Sequence, residues 1–307
     1  MIVHSLPDAA KLALHVRGTF AAPAADAAPS QCQERKLACK GYRQTIFARR
    51  PFEQLQEYFS SERGSPLKPV KAYRNSDFMN GKEARALRIL AEYLEPKSRL
   101  EAEGVEDTIV FFGSARFAPG SPWYEAARAL SFRLTQWSKG LDPAMQRRFV
   151  VCTGGGPGIM EAANLGASEA HGRNVGLTIS LPHEEGGNAY ITRELSFHFH
   201  YFFMRKFWLS YMAKAVIVFP GGYGTLDELF EVLTLVQTKR MTKRMPIVLF
   251  GTEYWGEVIN FDALVRHGTI KAADVDLVYR TDSVDDAYDW LVKQLAEQAL
   301  GKPGGML

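Results

Sequence analysis

The residues most suited to chemistry are the glycines of a short turn that follows an apolar run. Residues 220–225 read Pro-Gly-Gly-Tyr-Gly-Thr, after the apolar run 215–218 and before an amphipathic segment that ends near Lys239. Glycine lets the backbone approach a ligand closely, and the free N–H groups at the start of a following helix attract an anion. The turn has neither the Lys-Ser/Thr of a Walker A loop nor Gly-x-Gly-x-x-Gly spacing. It predicts a seat for a phosphate or carboxylate group.

Two more turns of small residues follow predicted strands. Gly113 and Ser114 come after the apolar run 108–112, and the glycine-rich stretch 154–158 comes after the run 149–153. One such turn alone is as typical of tight strand-to-helix packing as of a ligand site. In a parallel sheet the carboxyl ends of the strands share one edge, and ligands bind there. We therefore expect the three turns to line one site, with the Thr225 hydroxyl as a donor.

Two charged side chains are placed where they could reach that site. Glu228 follows Thr225 by three residues, which is the spacing of a capping box and also suits a carboxylate beside a bound anion. Arg205 interrupts the apolar stretch 202–208. It could clamp phosphate or ribose oxygens, or it could extend to water. The residues alone leave both alternatives open in each case.

Three motifs together resemble those of one known family. The stretches 154–161 (Gly-Gly-Gly-Pro-Gly-Ile-Met-Glu), 204–206 (Met-Arg-Lys) and 220–228 (Pro-Gly-Gly-Tyr-Gly-Thr-Leu-Asp-Glu) are similar, in order and separation, to the motifs of the LOG family. Its members are cytokinin riboside 5′-monophosphate phosphoribohydrolases, once labelled lysine decarboxylases. The resemblance covers about residues 105–295 and is to the longer LOG-like subgroup. Glu161 departs from the pattern, because many members carry a glycine there.

The resemblance implies a role for each motif. Glu228 and Arg205 would be the catalytic pair, with Glu228 stabilising the positive charge that develops on the ribose. Glu185 and Asn188, in the loop after the third predicted strand, are candidates for recognising the base. A larger set would bind the phosphate and the ribose, namely Ser114, Gly155, Gly156, Gly158, Lys206, Gly221, Gly222, Gly224 and Thr225.

The activity that the resemblance implies is hydrolysis of the N-glycosidic bond of a cytokinin or purine nucleoside 5′-monophosphate to free base and ribose 5-phosphate. No cofactor and no metal are expected, since the spacing of His183, Glu184 and Glu185 with His198 and His200 matches no metal motif. The alternative is a non-catalytic carrier of a nucleotide or of molybdenum cofactor, because fold does not fix function. The resemblance also implies a homodimer or a higher homo-oligomer.

The elements that must position these residues alternate between strands and helices. Apolar runs predict six strands, at 108–112, 149–153, 175–179, 214–218, 247–250 and 277–279. Helical patterns lie between and after them, at 123–137, 202–213, 225–239, 255–265 and 284–300. This alternation is typical of an α/β fold, and we expect a Rossmann-like, doubly wound parallel sheet of about six to seven strands.

The first hundred residues carry a different pattern. Residues 1–100 are predicted to form an extension that is partly disordered and then mostly helical, ahead of a catalytic domain over 101–300. One helix is expected over 82–95, ended by Pro96, with leucines 87, 90 and 94 on one face. The stretch 35–74 mixes basic and aromatic residues, for which a solvated helical surface is favoured over a nucleic-acid site.

The composition fits a cytoplasmic enzyme. The chain has 307 residues, of which 46% are hydrophobic, enough for a sizeable core. Its net charge of +3 is too small to predict nucleic acid as a general partner. Three cysteines without a metal-binding pattern favour a reducing compartment, and no apolar run is long enough to cross a membrane.

Overall fold

The structure, a computed structural model, describes residues 69–141, 146–180 and 186–305. Residues Lys71–Leu307 form one compact unit. The described part of this unit is built on a sheet of seven strands: β1 (Thr108–Phe112), β2 (Val150–Thr153), β3 (Asn174–Ile179), β4 (Ser196–Phe199), β5 (Ala213–Val218), β6 (Ile247–Phe250) and β7 (Tyr279–Thr281).

All neighbouring strands of this sheet are parallel, in the order β4-β3-β2-β1-β5-β6-β7. The chain order reverses at β1, which pairs with β2 on one side and with β5 on the other. This reversal is the topological switch point at which open α/β sheets bind their ligands. The predicted Rossmann-like α/β fold is confirmed.

Helices cover both faces of the sheet, and one short helix near the start of the described residues buries no residue. They are α1 (Ser76–Asn80), α2 (Arg85–Ala102), α3 (Pro122–Leu141), α4 (Ile159–Glu169), α5 (Phe202–Met212), α6 (Tyr223–Gln237), α7 (Thr252–Val258), α8 (Phe261–Arg266) and α9 (Val284–Gln298). Helices α2, α5 and α6 contribute to one hydrophobic cluster, and α3, α4 and α9 contribute to the other.

The central strands are buried from both sides, which explains their sequence pattern. In β1, Val110 and Phe112 belong to the first cluster, while Ile109 and Phe111 belong to the second. All five residues of the strand are buried. A strand covered on both faces needs apolar side chains at successive positions and not only at alternate ones. The continuous apolar runs of the sequence were therefore sufficient to predict these strands.

The predicted end of the helix near residue 95 is wrong. Helix α2 continues through Pro96 to Ala102. Proline lacks the N–H that would bond the carbonyl four residues earlier, which here is that of Glu92. Trp208 supplies the missing donor, because its Nε1–H bonds the Glu92 carbonyl oxygen at 3.0 Å. The tryptophan lies 116 residues further along the chain, so the local sequence could not predict it.

Three other elements differ from the expectation. Strand β4 lies in a region predicted to be a loop, although its apolar residues, Phe197 and Phe199, alternate with polar ones as in a half-covered strand. Strand β7 begins at Tyr279, two residues later than predicted. The helix expected over 255–265 is two helices, because the Asn260 side chain accepts from Ala263 N–H and starts α8.

Part of the predicted N-terminal extension, residues 1–68, lies outside the described residues, as does most of the basic and aromatic stretch. Helix α2 is bonded to the sheet, since Arg99 Nη1 donates to the carbonyl oxygen of Ser196 at 2.9 Å. The domain boundary near residue 100 stays a prediction. No helix in the described ranges is long and apolar enough to span a membrane.

Candidate functional site

A cavity of about 660 Å³ opens at the carboxyl ends of β1, β2 and β5, beside the switch point. The three turns that follow these strands all contribute to its wall. Residues from four helices complete it, namely Met160 of α4, Arg205 and Leu209 of α5, Leu226 and Glu228 of α6, and Tyr254 of α7. The structure thus brings together the turns that the sequence predicted to converge.

The turn after β5 leads directly into helix α6. The helix begins at Tyr223 with Gly222 as its N-cap, so Thr225 lies inside the first turn. No side chain caps this end, and its first turn carries no acidic residue. The capping box that the spacing of Thr225 and Glu228 allowed is therefore absent. The N–H groups and the positive end of the helix dipole are left for an anion in the cavity.

The three turns are fastened to one another through the turn after β1. Ser114 N–H donates to the Pro220 carbonyl oxygen at 2.9 Å, and the Ser114 carbonyl oxygen accepts from Ile159 N–H at 3.0 Å. A Cβ atom at Gly158, where φ is +69°, would collide with the Ser114 carbonyl oxygen. One at Gly221 would collide with the Thr225 hydroxyl. Gly158 is needed because its turn packs against the backbone of the turn after β1, and Gly221 is needed because the Thr225 side chain fills the space beside it.

The loop after β3 is folded onto the turn after β2. Asn188 Nδ2 donates to the carbonyl oxygens of Gly155 and Gly156, at 3.2 Å and 3.1 Å, and to Asn164 Oδ1 at 2.9 Å. Asn188 is therefore joined to the glycine turn. It is not one of the described residues that line the cavity. Glu185, the second candidate for base recognition, lies outside the described residues.

Glu228 and Arg205 face each other in the cavity wall. Their closest approach, between Arg205 Nη2 and Glu228 Oε1, is 3.8 Å. The Glu228 side chain is 6% exposed, and its Oε2 has no hydrogen-bond partner among the described residues. A Cβ atom on Gly154 would lie 3.9 Å from Arg205 Nη1, so the guanidinium also borders the turn after β2. Arg205 does not extend to water, as the alternative interpretation had allowed, since its side chain is 17% exposed.

The surroundings of Glu228 make its carboxyl group a weaker acid than a glutamate in water. Burial raises its pKa to about 7, against the opposing attraction of Arg205 and Lys206 for the carboxylate. Desolvation outweighs the two cations because the ion pair is long and the carboxyl group is removed from water. A group with a pKa near neutrality, in a cavity and next to a specific charge, is typical of a functional site.

Lys206 points away from the cavity, unlike its neighbour Arg205. Its Nζ lies 2.9 Å from Asp227 Oδ2 and 2.6 Å from Glu231 Oε2, and it is not among the described residues that line the cavity. Burial lowers the pKa of Lys206, but the hydrogen bonds to Glu231 and Asp227 outweigh burial and raise it overall. Both carboxylates belong to α6, so Lys206 ties α5 to the helix that carries Glu228.

Glu161 lies in the first turn of α4 and contacts Tyr124. The Tyr124 hydroxyl donates to Glu161 Oε1 at 3.4 Å, and burial together with this carboxylate raises the pKa of Tyr124 to about 12. A carboxylate in the first turn already interacts with the positive end of α4. The start of α6 has no acidic residue in its first turn.

His198, near the sheet edge, bonds to two hydroxyl groups. His198 Nδ1 lies 2.9 Å from Thr178 Oγ1, and its Nε2 lies 2.9 Å from Ser180 Oγ. Within the part of the chain that the structure describes, no group of three histidine, cysteine or acidic residues could hold a metal ion. His183, Glu184 and Glu185 lie outside that part.

Sequence reasoning missed several residues that line the cavity. Arg116 and Phe117 follow the turn after β1, and this position was itself a signal that could have identified them. Met160 follows the turn after β2 in the same way. Tyr254 had no such signal, because it lies on α7, beyond a strand whose following turn was not predicted to take part.

Comparison with known proteins supports the resemblance to the LOG family. The family model described as "Possible lysine decarboxylase" matches residues 160–291. Two cytokinin riboside 5′-monophosphate phosphoribohydrolases of Arabidopsis thaliana are similar to the chain: LOG3 is 33% identical over 97 residues and LOG7 is 34% identical over 95 residues. These alignments cover 31% and 30% of the chain, and 42% and 41% of the two relatives. The chain thus spans less than half the length of the curated relatives it matches. The predicted resemblance is confirmed at this modest identity.

Solved structures give weaker similarity. The molybdenum cofactor binding protein of Rippkaea orientalis is 18% identical, with a TM-score of 0.44, over 62% of this chain and 98% of that chain. The Moco carrier protein of Chlamydomonas reinhardtii is 19% identical, with a TM-score of 0.39, over 62% of this chain and 99% of that chain.

Proposed function

We propose that the chain is a phosphoribohydrolase that cleaves the N-glycosidic bond of a nucleoside 5′-monophosphate. Water attacks C1′ of the ribose, the bond to the base nitrogen breaks, and free base and ribose 5-phosphate leave. The substrate class comes from the LOG relatives, whose names specify cytokinin riboside 5′-monophosphates. Cytokinin nucleotides and AMP are both candidate substrates.

The observation that carries the proposal is the environment of Glu228. Its carboxyl group is buried, borders a cavity, faces an arginine and has an oxygen without a hydrogen-bond partner in the described part of the chain. A buried polar atom without a partner destabilises a folded protein. Such an arrangement suits a group whose partner is a ligand. The ribose hydroxyls of a nucleotide would supply the missing donors.

The mechanism uses two parts of the cavity wall, the start of α6 and Glu228. The phosphate binds at the start of α6, where free N–H groups, the Thr225 hydroxyl and the helix dipole converge. This remote binding orients the ribose beside Glu228 and makes the reaction effectively intramolecular. In its ionised form Glu228 stabilises the oxocarbenium-like charge on the ribose or activates the water, as carboxylates do in glycosidases.

Arg205 and Lys206 have different roles in this proposal. Arg205 borders both the turn after β2 and Glu228, so its planar guanidinium bonds ribose or phosphate oxygens while it lowers the pKa of Glu228. Lys206 keeps α5 against α6 through Asp227 and Glu231. It therefore acts on the position of its neighbour and not on the phosphate.

A chromatographic assay tests the proposal directly. Purified protein is incubated with AMP, isopentenyladenosine monophosphate and adenosine, beside the variants Glu228→Gln and Arg205→Gln. We expect base release from the two monophosphates only, with a loss of at least a hundredfold in either variant. Glu257→Gln, which changes an exposed carboxylate on α7, is the matched control and should leave the rate unchanged.

One result would contradict the hydrolase, and another would contradict the role of Glu228. If the wild-type protein binds AMP but releases no adenine or isopentenyladenine, the site belongs to a carrier. If Glu228→Gln releases base as fast as the wild type, the carboxylate has no chemical role. If the wild type does release base, the relative rates of the two monophosphates rank the candidate bases.

We also propose that the chain forms a homodimer through α2 and α5. Three leucines of α2, Leu87, Leu90 and Leu94, are about half exposed, as are Phe202 and Phe203 of α5. The two helices line a common apolar groove of about 540 Å³. Apolar surface of this kind is typical of protein interfaces, and a second copy would cover it. Size-exclusion chromatography with light scattering should give a dimer that Leu90→Asp converts to a monomer, whereas a monomeric wild type would contradict this proposal.

A further inference from the structure

The anion seat depends on a turn whose carbonyl groups are all engaged. The Pro220 carbonyl oxygen accepts from Ser114 N–H at 2.9 Å, and that of Gly222 accepts from Leu226 N–H at 3.0 Å. The Gly221 carbonyl oxygen accepts from the hydroxyl of Tyr254 at 2.6 Å. Of these three bonds only the last comes from a side chain. It is therefore the one that a conservative substitution can remove without changing the backbone.

The bond to Gly221 fixes the direction of a donor as well as of an acceptor. In a planar trans peptide the C=O of one residue and the N–H of the next point in opposite directions. With the Gly221 carbonyl held by the phenol, the N–H of Gly222 is turned away from Tyr254. Gly222 is the N-cap of α6, where N–H groups have no carbonyl partner inside the helix. The phenol thus fixes the direction of one of the N–H groups at the helix end that borders the cavity.

Tyr254 is itself held firmly enough to perform this role. Helix α7 follows Gly251, whose φ of +103° is left-handed and whose added Cβ would lie 3.1 Å from Pro220 Cγ. The next residue after Tyr254, Trp255, is 1% exposed and donates from Nε1 to the Phe250 carbonyl oxygen at 3.0 Å. The rings of Tyr254 and Trp255 meet edge to face, with centroids 5.0 Å apart. Helix α7 is therefore packed against the turn, and the phenol has a fixed position.

We propose that Tyr254 is a positioning residue that preorganises the phosphate seat by holding the Gly221 peptide. The inference rests on the proposed function, because it takes the ligand to be a 5′-phosphate. Without the hydroxyl, the glycine peptide can rotate, and a rotated peptide directs its carbonyl oxygen, and not its N–H, toward the anion. A glycine has no side chain to oppose this rotation. The loss therefore falls on ligands that carry a phosphate and spares those that do not.

Binding measurements on the intact protein separate this role from a structural one. Ribose 5-phosphate and adenosine are titrated calorimetrically into wild type, Tyr254→Phe and Tyr279→Phe. AMP, which active protein would hydrolyse, is titrated into the same three proteins carrying Glu228→Gln. The Tyr279→Phe variant is a matched control. Tyr279 lies on β7 and does not line the cavity, and its hydroxyl donates to Asp286 Oδ1 at 2.7 Å. We expect Tyr254→Phe to bind AMP and ribose 5-phosphate about five- to tenfold more weakly, as for one lost hydrogen bond, with adenosine binding unchanged.

Thermal unfolding shows whether each variant is folded, and base release shows whether the protein is a hydrolase. Unaltered affinity for both phosphates in Tyr254→Phe would overturn the inference, as would an equal loss for adenosine or an equal loss in Tyr279→Phe. A wild type that binds AMP without releasing base would contradict the hydrolase and leave the role of Tyr254 intact. A wild type that binds neither phosphate would contradict both.

Discussion

Replacing Glu228 by glutamine should stabilise the protein, and the gain should grow with pH. A glutamate carboxyl group in water has an ordinary pKa of 4.5, and burial raises the pKa of Glu228 to about 7 in the fold. Because the folded protein binds this proton more tightly than the unfolded chain, stability falls as pH rises through the window between these two values. Glutamine has a similar shape and no charge to desolvate. The variant therefore avoids a penalty that the wild type bears at neutral and higher pH.

The magnitude follows from the shift in pKa. Each pKa unit corresponds to about 1.4 kcal/mol, so the full penalty of ionising Glu228 is about 3 kcal/mol at pH 8 and about 1 kcal/mol at pH 5. Part of the gain is offset because glutamine leaves Arg205 without its opposite charge at 3.8 Å. We expect a net gain of about 1 to 3 kcal/mol at pH 8, or roughly 3 to 8 °C in Tm for a domain of this size.

Thermal and urea unfolding at several pH values between 5 and 8 provide the measurement. The quantity of interest is the difference in unfolding free energy between Glu228→Gln and the wild type. Glu257→Gln removes an exposed carboxylate of α7 and should give a difference near zero throughout. A difference for Glu228→Gln that stays constant from pH 5 to pH 8, or that becomes destabilising at pH 8, would refute the reasoning.

Three further outcomes are expected from the same structure. In a thermal unfolding assay, Gly158→Ala should destabilise the fold by about 2 kcal/mol or more, because φ is +69° and the new Cβ meets backbone atoms. Gly140→Ala, in open space on α3, should stabilise the fold by up to about 1 kcal/mol in the same assay. Trp208→Phe should cost about 1 to 3 kcal/mol by urea unfolding, and less in a Pro96→Ala background, where the proline no longer leaves a carbonyl without its helical donor. If the ionised carboxylate is the active form, kcat/KM for AMP should rise as the pH passes through the Glu228 pKa of about 7. The variant Glu228→Gln should lack this pH dependence.

The central strands and the three turns could be predicted because their signals are local. A doubly covered strand such as β1 has buried residues at each position, and the turns contain glycines that a side chain could not replace, such as Gly113, Gly158 and Gly221. The carboxyl-edge rule then places the turns together without any knowledge of side-chain contacts. The resemblance to a family added roles for Glu228 and Arg205, which spacing alone had left undecided.

Three features that the sequence did not predict share a physical cause, which is a partner far away in sequence. Pro96 is tolerated inside α2 because Trp208 bonds the carbonyl that the proline leaves free. Lys206 is drawn from the cavity by two carboxylates of α6. Tyr254 reaches a glycine carbonyl 33 residues earlier in the chain. None of these contacts has a periodicity or a motif that a single sequence could display.

A functional carboxylate and a structural one differ in the sign of one quantity, which is the change in unfolding free energy when the glutamate is replaced by glutamine. A glutamate that caps a helix or completes a salt bridge stabilises the fold in its ionised form, so replacing it by glutamine destabilises the protein most at high pH. Glu228 makes no capping bond, lies 3.8 Å from its cation and has a raised pKa, so its ionisation opposes folding. A destabilising residue of this kind is typical of sites where activity and stability conflict. A variant that is more stable at pH 8 and inactive toward AMP would therefore support a chemical role for Glu228 on two independent grounds.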